Sequence, residues 1–164
     1  MSVPDCIEKT ITLHAPIARV WRAISNSDEF GKWFGMSLDG PFVAGERTVG
    51  RIRPTVADPE VAKLQEPHAG KAFELVIESI ETERLFAFRW HPFAVEPDAD
   101  YSREPMTLVT FELTEVPNGT LLRITESGFS QIPQARRAEA FNANDGGWEH
   151  QAKLIEKYLL AYAA

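Results

Sequence analysis

Side chains able to do chemistry are few and scattered in this 164-residue chain. The four histidines, His14, His68, His91 and His150, fall in separate segments with no repeated metal-ligand spacing. Cys6 is the single cysteine, so neither a zinc site nor an intrachain disulfide is expected. No serine sits in a nucleophile elbow, no glycine loop has the phosphate-cradling spacing, and no dinucleotide fingerprint occurs. The sequence therefore offers no catalytic residue, no metal ligand and no cofactor. One carboxylate stands apart. In the stretch TLLRITES (120–127) alternation places Leu122, Ile124 and Glu126 on one face. Glu126 then points into an apolar interior, or reaches water where the strand frays. Inside, it needs an arginine or its own proton to offset lost hydration, and a buried acid is also a general acid or base in waiting.

The other distinctive stretch is SNSDEFGKWFG (25–35), which sets Phe30, Trp33 and Phe34 at i, i+3 and i+4 and so on one helical face. Asn26 or Ser27 is placed to cap that short helix. Before it, IEKTITL (7–13) alternates as a strand. Pro16 opens a helix whose apolar stripe is Ile17, Val20, Trp21 and Ile24.

Downstream, Gly40-Pro41 reads as a turn, and Phe42 to Arg53 as an irregular strand pair broken by Gly45 and Gly50. Residues 54–70 read as an exposed excursion and 91–105 as a long acidic, proline-bearing loop. Between them run two strands, around Phe73, Leu75 and Ile77 and around Phe86, Phe88 and Trp90. Residues 106–116 and 120–127 flank Pro117-Asn118-Gly119, a strong hairpin signal. From about Ala135 the pattern is helical, with Phe141, Trp148, Ile155 and Leu159 at helix period. Gly146-Gly147 marks either a kink or the true start of that helix.

About six antiparallel strands cannot cover both faces of their own sheet. The long helix is the element available to close the concave face. The expectation is one α+β domain over 1–164, with space left between sheet and helix. Trp33 and Phe34 are placed at its mouth. Phe42, Leu75, Phe88 and Trp90 are expected to line it with Phe111, Ile124, Glu126 and Trp148. A net charge of −7 and the absence of a basic stripe disfavour nucleic acid. No apolar run reaches membrane-spanning length. The first residues lack a secretory pattern, so a cytoplasmic location is expected.

Three segments resemble the activator of heat-shock-protein-90 ATPase homologue family. HAPIARVWRAISNSDEFGKWFG is similar to its N-terminal strand–helix–short-helix segment, with the Ala-Pro and the Trp-Phe pair. LVTFELTEVPNGTLLRITESGF resembles its last hairpin, and GGWEHQAKLIEKYL its C-terminal helix. Where members often carry a His before Ser-Gly-Phe, this chain has Glu126. The resemblance implies the START-like (SRPBCC) helix-grip fold and a hydrophobic cavity between sheet and long helix. Fold alone does not fix function. The leading expectation is a binding protein for an apolar or lipid-like small molecule. Alternatives are a cyclase- or dehydratase-like enzyme using a cavity carboxylate, and a co-chaperone-like module for a protein partner. A homodimer is left open.

Overall fold

The computed structural model describes residues 3–96 and 98–162. The chain runs β1 (Cys6–Leu13), α1 (Ile17–Ser25), α2 (Ser27–Phe34), β2 (Met36–Leu38) and β3 (Arg47–Ile52). It continues through α3 (Pro59–Gln65), β4 (Ala72–Glu81), β5 (Leu85–Trp90), β6 (Thr107–Val116), β7 (Gly119–Ser127) and α4 (Gln134–Ala161). All seven strands form one antiparallel sheet in the order β1-β7-β6-β5-β4-β3-β2. The strand sequences β2 to β7 meander, and β1 closes on the far edge beside β7. The pattern gives about six strands and the sheet has seven. The pair expected within 42–53 is instead β2, three residues long and before that stretch, and β3, joined by a loop that carries Phe42.

The inner face follows the pleat. Leu75 and Ile77 from β4 and Phe86 and Phe88 from β5 are buried there with Val109, Phe111 and Leu113 from β6 and Leu122 and Ile124 from β7. Helix α4 covers this face with Trp148, Ala152, Ile155 and Leu159, and Ile155 is fully buried. Gly146-Gly147 does not start the helix, which runs from Gln134 to Ala161.

Asn26 caps α2 by accepting the Glu29 N–H at 3.0 Å. At the other end Gly35 takes φ +97°, a left-handed conformation natural to glycine. Between them Phe30 is the hub of the core. Its ring contacts those of Trp33, Phe34, Phe42, Phe86, Phe88 and Phe111 at 4.9–6.3 Å. A partly buried ion cluster links α1 and α2 to α4. Arg19 lies 2.9 Å from Glu29, which also accepts from Arg22 and from the Tyr158 hydroxyl, each at 2.8 Å. Arg19 further donates to the Tyr162 carbonyl at the end of α4.

The excursion 54–70 holds a helix that the sequence reading misses. Asp58 caps α3 and Pro59 occupies its first turn, so the start signal is present. No residue of α3 is fully buried, which leaves it without the apolar stripe that reveals a helix.

Candidate functional site

Glu126 is fully buried on β7, facing the helix. Strand register places it beside Ile7 on β1 and Val109 on β6, while Thr107 pairs with Trp90 on β5. Trp90, Thr107 and Glu126 thus form a diagonal at one end of three adjacent strands. Helix α4 adds Asn144 and Trp148, which share a face at i and i+4.

Four neutral groups converge on the carboxylate. Trp148 Nε1 donates to Oε1 at 2.8 Å and Trp90 Nε1 to Oε2 at 2.8 Å. Thr107 Oγ1 donates to Oε2 at 2.5 Å, and Asn144 Nδ2 reaches both oxygens at 2.9 and 3.2 Å. The sequence poses two ways to hold a buried acid, an arginine or a retained proton. The fold uses a third, a cage of neutral donors. Indole N–H and amide NH₂ groups only donate, so the ionised form, which only accepts, is the form these partners satisfy. With a charged partner each such bond is roughly twice as strong as a neutral one.

In front of this network lies a cleft of about 310 Å³. Phe34, Met36, Ile52, Phe73, Phe93, Trp90 and Trp148 supply most of its apolar lining, and Leu64 from α3 adds to it. Phe34 lies 6.1 Å from Trp90 and 5.9 Å from Trp148, ring centre to ring centre, and the two indoles are 5.7 Å apart. Glu126 is not itself part of the lining. Both indole N–H groups turn back to it, so the cleft meets the carbon part of each ring. The carboxylate fixes two walls from behind.

Gly147 also lines the cleft. A Cβ built there meets no atom within 4 Å. A glycine inside a helix costs about 1 kcal/mol relative to alanine, and close packing does not require this one. Its missing side chain leaves open space beside the helix at the cleft.

Polar groups in the walls are few. Gln65 accepts from the Thr55 N–H at 2.7 Å and donates to the Phe34 carbonyl at 3.3 Å, which ties α3 to the end of α2. Lys157 on α4 bonds Asp58 at the start of α3. His68 and His91, distant in sequence, both line the cleft. Burial is the largest influence on His91 and holds its imidazole below the ordinary value. Among the described residues no three His, Cys, Asp or Glu side chains converge as a metal site would need.

Of the ten residues singled out from sequence, Phe34, Trp90 and Trp148 line this cleft, and Glu126 stands behind it. Phe42, Leu75, Phe88, Phe111 and Ile124 lie in the packed interior. Trp33 is likewise fully buried and donates to the Ala23 carbonyl at 2.8 Å, so it is a core residue and not part of a mouth. Thr107, Asn144 and Gly147 escaped the sequence reading. Asn144, one helical turn before Trp148, carried the signal for one of them.

The chain matches the family described as Activator of Hsp90 ATPase homolog 1-like protein over residues 14–160, and it belongs to that family. Its architecture is the helix-grip fold of its solved neighbours. A protein of Mesorhizobium loti is 23% identical at a TM-score of 0.67, covering 94% of this chain and 96% of that one. The Aha1 dimer of Colwellia psychrerythraea is 16% identical at a TM-score of 0.64, covering 94% and 95%. A protein described as putative in the dynemicin biosynthetic locus is 21% identical at a TM-score of 0.66. That match takes in 96% of this chain but only 48% of the other, so this chain spans about half its length. No curated protein matches by sequence. No helix among the described residues is long and apolar enough to cross a membrane.

Proposed function

We propose that this member of the Activator of Hsp90 ATPase homolog 1-like family is a binding protein for an apolar small molecule, held in the cleft between α2, α3, the sheet end and α4. The observation that carries the proposal is the preformed wall. Trp90 and Trp148 are fixed by a buried carboxylate with which the ligand makes no contact, in front of a volume that Gly147 keeps open. Small-molecule sites are typically concave, mostly apolar and formed before binding, with volumes starting near roughly 300 Å³. Rigid walls lower the ordering cost of association.

Glu126 gives little support to a cyclase- or dehydratase-like reading. Its oxygens are engaged by four donors and it lies behind the lining, outside the hydrogen-bond reach a general acid or base requires. The family description and the Colwellia neighbour favour a second reading, a module for a chaperone partner, with self-association as in that dimer. Sedimentation of the purified chain, alone and with the chaperone, addresses both.

The test of the leading reading fills the cleft. Gly147→Leu projects a side chain into open space and improves helix propensity, so the variant should fold at least as stably as the parent. It should also lose uptake of an environment-sensitive apolar dye and any apolar molecule seen by native mass spectrometry of the parent. A stable variant that still binds as the parent does would place binding elsewhere.

A further inference from the structure

A second cavity, of about 320 Å³, adjoins the cleft. Phe73, Trp90, His91 and Val95 line both. The segment after β5 therefore runs between two spaces. Phe93 belongs to the lining of the cleft, Ala94 to that of its neighbour, and Val95 to each. Part of this partition is fixed, since the Trp90 indole is bonded to the buried Glu126. Residues 92–95 are held in another way.

Among the described residues, no backbone–backbone hydrogen bond involves residues 92–95. Two cations fasten the segment instead, through its carbonyls. Arg136 on α4 donates from Nη1 to the Pro92 carbonyl at 2.9 Å and to the Phe93 carbonyl at 3.3 Å. Lys71, just before β4, donates to the Val95 carbonyl at 3.1 Å. Arg136 is itself held in place. Its Nε and Nη2 both lie 2.7 Å from Glu104 Oε1, and its guanidinium sits 4.8 Å from the centre of the Tyr101 ring. Between the two fastenings Phe93 takes φ +50°, a left-handed conformation unfavourable to a bulky side chain. Such a conformation persists only where the surroundings impose it. With no backbone ladder to do so, the position of this wall is set by two side chains.

We propose that residues 92–95 are a strap that limits the length of the ligand. With Arg136 and Lys71 in place an apolar chain ends at the strap, and without them the cleft joins the cavity beyond. Arg136 and Lys71 are then positioning residues, acting through the strap. The ligand class selected is a compact apolar molecule that fits about 310 Å³, as opposed to a long acyl chain spanning both spaces. This rests on the cleft being a binding site and adds the size of molecule that site accepts.

Straight-chain 1-alkanols from hexanol to tetradecanol, read by displacement of an environment-sensitive apolar dye, test it. Each buried methylene should tighten binding roughly fourfold until the chain meets the strap, after which the affinity levels off. In Arg136→Gln and in Lys71→Met the levelling should move to a longer alcohol. Lys71→Arg, which keeps a donor for the Val95 carbonyl, should retain the wild-type limit. Lost stability alone would weaken every alcohol alike and leave the limit where it was. The same limit in the wild type and in both loosened variants would overturn the inference while leaving the binding site intact. An affinity that climbs through tetradecanol in the wild type would overturn it too, and that series needs no variant to fold. Dye uptake that no alcohol reverses would likewise overturn it. Absence of dye uptake by the wild type would instead remove the proposed function on which it rests.

Discussion

Replacing Glu126 by Gln changes one atom's chemistry and almost none of its shape, so the cost can be worked from hydrogen bonds without a cavity term. If the new NH₂ takes the place of Oε1, it confronts Trp148 Nε1 and Asn144 Nδ2, now 2.8 and 2.9 Å away, and both are donors. If it takes the place of Oε2, it confronts Trp90 Nε1 and Asn144. Thr107 can adapt, because a hydroxyl also accepts, and Asn144 keeps the remaining oxygen within reach. In either orientation one indole N–H loses its acceptor at a fully buried site. An orphaned donor costs about 1–3 kcal/mol, and removing a desolvated charge returns part of it. A net loss of about 1–2 kcal/mol is expected, and a melting temperature lower by roughly 2–8 °C for a domain of this size. Urea unfolding at neutral pH measures it, with tryptophan emission reporting whether the indoles have shifted. A Gln variant as stable as the parent, or more so, would mean that the folded acid carries a proton and donates it to Thr107. The donor cage would then be misread.

Gly147→Ala should stabilise the protein by roughly 1 kcal/mol in urea unfolding, since the helix gains propensity and the new methyl meets no neighbour; a loss would mean the space is not open. Trp33→Ala removes a fully buried ring and its bond to Ala23, so the cost should be about 3–5 kcal/mol, and a fully stable variant would return Trp33 to the surface. Ile155→Ala should cost about 2–5 kcal/mol and Lys153→Ala, on the exposed side of α4, roughly 0.5 or less; equal effects would mean α4 is wrongly seated. Burial alone would raise the Glu29 carboxyl, but Tyr158, Arg19 and Arg22 together hold it below its ordinary 4.5. The unfolded chain then binds more protons on the acid side, so this stabilisation is complete above that ordinary value and is lost as the pH falls through the lower folded one. Glu29→Gln should cost about 1–2 kcal/mol at neutral pH by weakening the bonds from Arg19, Arg22 and Tyr158 and flatten the acid limb of the stability curve, and an unchanged limb would refute the assignment.

The order of elements was legible because local periodicity records it. Alternation in 7–13 and 120–127, the Asn118-Gly119 turn and the stripe Trp148, Ile155, Leu159 are each set by which faces must be buried. The grip of helix on sheet followed, since those faces had no other cover. Legibility failed where burial leaves no period: in β2, which is three residues long, and in α3, which buries no residue fully. For the site, alternation located Glu126 on the inner face, but no reading along the chain says what meets it there. Its donors come from two strands and a helix, joined by strand register and by the rotation of α4. Those depend on how many side chains pack at once. The same holds for Trp33 and Phe34, neighbours in sequence. One turned into the core and the other onto a cleft wall, because adjacent helical positions lie about 100° apart and only the surrounding sheet decides which direction is occupied. Periodicity along the chain determined the order of its elements and that a long helix covers the sheet. Tertiary packing alone decided that a carboxylate holds two tryptophans in place and that a glycine leaves the room in front of them.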